Sequence, residues 1–101
     1  MEHPALRHNL RALNDLLGLE GRRLFVRELG IGGAEFVAYL VGDRVPSAAK
    51  LDAIGRFFGL DADTLRHVRL DELSLQRAQQ RLRRAMRERQ DDAGALWQDV
   101  G

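Results

Sequence analysis

Leu6, Leu10, Leu13 and Leu17 recur at steps of four, three and four residues, with Leu16 alongside. That stripe predicts an amphipathic first helix from about Pro4 to Leu17, and a proline suits its opening turn. Gly18 and Gly21 interrupt the pattern. In RRLFVRELG, Leu24, Phe25, Glu28 and Leu29 stand at helical spacing and the run stops at Gly30, so a second helix of about two turns is expected. Gly30, Ile31, Gly32 and Gly33 then form a turn in which the isoleucine plugs the core. A third helix follows from Gly33 or Ala34 to Val41 and ends at Gly42, because Pro46 forbids continuation through DRVPS. Ser47 is placed to cap a fourth helix whose apolar set is Ala48, Leu51, Ile54, Phe57 and Phe58, ending at Gly59. Asp61 or Asp63 caps a short fifth helix, with Leu65 and Val68 closing the core.

These five helices predict a domain over residues 1–70. Beyond it, DELSLQRAQQRLRRAMRERQDD has no proline or glycine and predicts an additional C-terminal helix in an arginine-rich region, residues 71–95, with 96–101 as a tail. Leu75, Ala78, Leu82 and Ala85 recur at steps of three, four and three, with Met86 beside them, a seam like that of a short coiled coil. Its length, under two heptads, makes it a weak dimerisation element by itself. No alternating strand pattern and no internal repeat occurs, so the expected class is all-α.

Composition narrows the classes further. The chain has 101 residues, 45% of them apolar and 31% charged, which suits one small folded module. It contains no cysteine, so disulfides, thiolate chemistry and cysteine-based zinc sites are excluded. No apolar run is long enough for a membrane span or a signal peptide, and a cytoplasmic protein of bacterial or phage type is expected. The net charge of +1 conceals a local excess: residues 76–89 hold six arginines against the single acid Glu88. That cluster fits either phosphate contacts or an ordinary solvated helix in which Arg84 and Glu88 pair across one turn.

Five helices joined through LGIGGAEFVAYLVGDRVPS resemble the helix-turn-helix domain of the Cro and lambda-repressor-like family of transcriptional regulators, over about Asn9 to Val68. The resemblance is carried by Leu29, Gly30 and Ile31 at the turn, by Gly42 with Pro46, and by AIGRFFGLDADTL. It implies a homodimeric regulator, a repressor by class, bound to double-stranded DNA. The third helix would enter the major groove, with Gly33, Ala34, Glu35, Val37 and Ala38 facing bases. Arg22, Arg23, Arg27, Arg44 and Lys50 would face phosphates.

Two departures matter. From Gly30 to Val41 there is no Arg, Lys, Asn or Gln, the side chains that read bases by paired hydrogen bonds. Ala34, Val37 and Ala38 can touch thymine methyls, and Glu35 can accept from a cytosine amino group. Phe25 stands where the family generally keeps a small residue, with Gly33 and Ala34 expected to make room. If Phe36, Tyr39 and Leu40 point inward, then Val37, Ala38 and Val41 form an outer apolar patch, and a helix apolar on every side is normally covered. A second copy, the arginine-rich helix or another protein would supply the cover. The alternative reading is therefore a protein-interaction module that keeps the scaffold without base readout, with Val37, Val41, Leu75, Leu82 and Met86 at the partner interface.

Nothing argues for an enzyme or a cofactor. His3, His8 and His67 form no metal-ligand spacing, GIGGAE lacks the preceding strand and third glycine of a dinucleotide loop, and no nucleophile, base and carboxylate fall into a motif. Trp97 is either a loosely packed tail residue or an anchor for a partner.

Overall fold

A computed structural model describes residues 5–100, with side chains as far as Glu88. Five helices account for the fold: α1 (Leu6–Leu29), α2 (Gly33–Val41), α3 (Ala48–Phe58), α4 (Ala62–His67) and α5 (Glu72–Val100), and no strand occurs among the described residues. The protein is all-α. The expected first two helices are the two arms of α1, which bends at Gly18, where φ is 63° and ψ −172°. Only glycine takes that backbone geometry without strain, so the bend is written into the sequence at this residue. The remaining boundaries fall where the punctuation places them. Gly30, Gly42 and Gly59 each close a helix in the left-handed conformation. Ser47 caps α3, its Oγ accepting from Lys50 N at 3.2 Å. Asp71 does the same for α5, its carboxylate accepting from Ser74 N at 2.8 Å, which holds its pKa below the ordinary value. Asp61 sits at the N-cap of α4 but makes no side-chain cap bond, and Asp63 pairs with Arg66 at 3.1 Å instead.

Leu6, Leu10, Leu13 and Leu17 form the inner face of the first arm of α1 and pack with Leu51, Ile54, Phe58 and Leu65 in one apolar cluster. Full burial of each such side chain stabilises the fold by roughly 1.5–3 kcal/mol. Ile31 is buried at the turn as expected. Val68 is not in the core: it is 55% exposed, and Leu70 fills the place assigned to it. The chain leaves α4 at Val68 in an extended conformation, which breaks the helical register on which that assignment rested.

Among the described residues one polar side chain lies fully inside. Asn9, with no exposed surface, donates from Nδ2 to the carbonyls of Leu65 at 2.9 Å and Val68 at 2.8 Å, while its Oδ1 accepts from Leu70 N at 2.9 Å. A carbonyl of α4, the carbonyl of its C-cap Val68 and the amide of Leu70 are thus satisfied by a residue of α1.

The arginine-rich helix is not an appendage to a 70-residue domain. α5 packs on α1 and α3, with Ala78 and Leu82 fully buried and Leu75 and Met86 against the core. Leu75, Leu82 and Met86 are therefore removed from the partner interface, because the same chain already covers their seam. Leu82 seats over Gly21 of α1: a Cβ at that glycine would lie 3.4 Å from Leu82 Cδ2, in ordinary contact. The seam is half of an intramolecular core.

Candidate nucleic-acid interface

α2 is mounted by one side. Phe36 and Tyr39 are buried, Glu35, Ala38 and Leu40 are half-buried, and Gly33, Ala34, Val37 and Val41 are exposed. Phe36 packs against Phe25 with the rings tilted and their centroids 4.8 Å apart, and Phe25 also meets Phe57 edge-on at 5.4 Å and Phe58 at 6.3 Å. The large residue at position 25 is thus the hub of an aromatic cluster, which a small residue could not be. Gly33 does not make room for it, since a Cβ at Gly33 would meet nothing within 4 Å. The three-residue turn Gly30–Gly32 leads straight from α1 into α2, which gives two helices joined at a tight corner.

Both ends of α2 are tied to neighbours by charged groups. At the C-terminus, Arg7 Nη2 donates to Val41 O at 3.1 Å and Arg11 Nε to Leu40 O at 3.1 Å. Two cations from the preceding helix thereby satisfy carbonyls that α2 leaves open and favour the negative end of its dipole. The guanidinium of Arg7 lies over Gly42, where a Cβ would come within 3.1 Å of its Cζ. Nothing in the spacing of Arg7 and Arg11 announced this role, because their partners are 34 and 29 residues away in sequence.

Near the N-terminus, Glu35 accepts hydrogen bonds from the Tyr39 hydroxyl and from Lys50 Nζ, the latter at 2.5 Å. The Lys50 hydrogen bond, then that of Tyr39, holds the Glu35 carboxyl below its ordinary pKa. Burial, followed by the hydrogen bond to Glu35, raises Tyr39, and the bond to Glu35 raises Lys50. The triad ties α2 to α3. It also occupies Glu35, the one polar group in the set expected to face bases, and engages Lys50, expected to face phosphate. The Glu35–Tyr39 spacing of one helical turn was the sequence signal for the first of these bonds.

Among the other residues expected at phosphates, Arg22 turns back along α1 and donates to Asn14 Oδ1 at 2.8 Å. Arg23, Arg27 and Arg44 are exposed and enter no ion pair among the described residues. Arg23 and Arg27 are four residues apart on the second arm of α1, hence on one face. The outward side of α2 therefore consists of bare backbone at Gly33 and the apolar side chains of Ala34, Val37 and Val41, with Ala38 partly withdrawn. Val37 and Val41 are each 48% exposed, and Val45 in the following loop is 70% exposed.

Among the described residues α5 does not pack against α2, so the arginine-rich helix is not the cover of this patch. The same residues contain no cluster of three or more metal-ligating side chains and no helix long and apolar enough to cross a membrane. His3 and Trp97 lie outside the described side chains. No protein-family model, curated protein or solved structure matches the chain.

Proposed function

We propose that the chain is a DNA-binding transcriptional regulator of the Cro and lambda-repressor-like helix-turn-helix type, a homodimeric repressor in which α2 enters the major groove. The observation that carries this reading is the mounting of α2. It is fastened at its inner side and at both ends, its outer side is left open, and Arg23, Arg27 and Arg44 stand exposed on neighbouring segments. A rigid helix held between cations is what backbone positioning on a duplex requires. Base readout would rest on contacts of Ala34, Val37 and Val41 with thymine methyls and on duplex shape, because no side chain on this face offers paired hydrogen bonds. Regulation would be steric, by occupancy of an operator.

Fluorescence anisotropy with double-stranded genomic fragments at two salt concentrations tests it. The expected result is salt-sensitive binding, with the slope of log affinity against log salt reduced by about one for each phosphate contact removed, as by Arg23→Glu or Arg27→Glu. A specific observation favours a second reading. With Glu35 held by Tyr39 and Lys50, the exposed face of α2 is apolar throughout, as a protein-binding surface would be. Absence of salt-sensitive DNA binding, together with an assembly that Val37→Glu disrupts, would replace the first reading with this one.

A further inference from the structure

The cleft where the end of α1 meets α3 and α5 has a volume of about 310 Å3 and plays no part in the α2 face. Leu29, Phe57 and Ala85 contribute half-buried apolar surface to it. Arg56, Arg81 and Arg84 stand on its rim with the acids Glu28 and Glu88. Arg56 is already paired with Asp52 at 3.2 Å, whereas Arg81 and Arg84 enter no ion pair among the described residues. Both belong to the stretch 76–89, with its six arginines and one acid. The next stretch reverses the sign: residues 91–101 hold Asp91, Asp92 and Asp99, no lysine or arginine, and the apolar Leu96, Trp97 and Val100.

We propose that this cleft is a self-association site, and that its occupant is the acidic, tryptophan-bearing segment 91–101 of a second copy. The charge reversal along one helix makes the match. α5 continues as a helix to Val100, rising about 1.5 Å per residue, so position 97 lies roughly 13 Å further along the axis than Glu88 at the rim of its own chain's cleft. Two α5 helices crossing antiparallel about a two-fold axis place the basic stretch of each on the acidic stretch of the other. Such a contact is made twice and closes at the dimer. The cleft is at the small end of ligand-binding volumes, suited to one large side chain rather than a whole helix. An indole over the apolar floor, with aspartates reaching Arg81 and Arg84, matches the apolar and basic parts of the lining, while Glu28 and Glu88 lie outside the match.

Sedimentation equilibrium of the full chain, without DNA, tests the proposal. Wild-type protein should be dimeric and should dissociate about ten-fold more readily near 1 M salt, where exposed charge pairs are screened. Arg81→Glu with Arg84→Glu should weaken the dimer, as should Asp92→Lys with Asp99→Lys, and the four changes together should restore it. Trp97→Ala should also weaken it, and Trp97 emission in the wild type should shift to the blue as the dimer forms. Helical circular dichroism checks that the charge variants remain folded, which the exposure of Arg81 and Arg84 favours. A monomeric wild type, a dimer indifferent to both charge reversals, or failure of the combined variant to recover would overturn the proposal. The site rests on the homodimer of the proposed function, so a monomeric wild type would count against that dimer as well, whereas a dimer indifferent to the charge reversals would remove this contact alone and leave duplex binding by α2 untouched.

Discussion

The end of the molecule around Asn9 and the face of α2 are built on opposite plans. Around Asn9 every polar group named is matched: one fully buried carboxamide gives two hydrogen bonds and takes one, with Leu65 and Leu70 buried beside it and Val68 at the surface. α2 has two buried side chains, and its other fastenings are charged groups at the surface. The first plan concentrates stability where nothing else can reach. The second fixes a helix in position while leaving half of its circumference for another molecule. The difference separates the residues that hold the fold from those that carry whatever the protein contacts.

The sharpest way to break that comparison is to truncate one leucine and one valine. Leu82→Ala removes a fully buried side chain between α5 and α1 and should cost about 2–5 kcal/mol in urea-induced unfolding. Val37→Ala removes atoms that are half in water, and stability should stay within about 0.5 kcal/mol of the wild type. If Leu82→Ala proves equally mild, α5 contributes little to the core and the division between the two plans fails. If Val37→Ala is severe, the outer face of α2 is already covered in the folded protein.

Asn9→Leu should come next. It keeps the branching and heavy-atom count but leaves the Leu70 amide and the carbonyls of Leu65 and Val68 without their partner, for a loss of about 2–4 kcal/mol by thermal or urea unfolding. Asn9→Asp should also destabilise, since it retains the acceptor for Leu70 N and loses both donated bonds. A leucine variant as stable as the wild type would mean that apolar packing alone secures this end.

The sequence made the helices legible because their limits are local chemistry: Gly30, Gly42 and Gly59 at the ends, Pro46 as a stop and Ser47 as a cap. It made the leucine stripe of α1 legible because four side chains repeat on one face. Asn9 was not legible, since a single asparagine between leucines looks like any surface position until the end of α4 is brought 56 to 61 residues back along the chain. The docking of α5 was missed for a related reason. Periodicity shows that Leu75, Ala78 and Leu82 share a face, but only the contact of Leu82 with α1 at Gly21, 61 residues away in sequence, shows which surface receives it. At the α2 face the residue choice was legible and the consequence was not. The absence of base-reading side chains could be read directly, while the capture of Glu35 by Lys50 depends on how α3 approaches.

That capture gives the smallest effect, and it is readable only against pH. The hydrogen bonds from Lys50 and Tyr39 favour the ionised carboxylate in the folded state and lower its pKa beneath the unfolded value of 4.5. A group with a depressed folded pKa adds stability above its unfolded value, and loses it as pH falls through the folded one. Lys50 and Tyr39 shift upward, so their share is intact below the unfolded values of 10.5 and 10.0 and is lost as pH rises through the raised ones. The stability difference between wild type and Glu35→Gln should therefore be flat through neutral pH, shrink in acid below the ordinary carboxylate range, and shrink again in strong alkali. The Asn9→Leu penalty, in contrast, should not follow this profile, because none of its hydrogen bonds involves a titrating group. Chemical unfolding of the three proteins across pH separates the cases. A Glu35→Gln difference that persists unchanged into acid would show that the carboxylate does not hold α2 to α3 through its charge, and that the helix is kept in place by Phe36, Tyr39 and the two arginines at its other end.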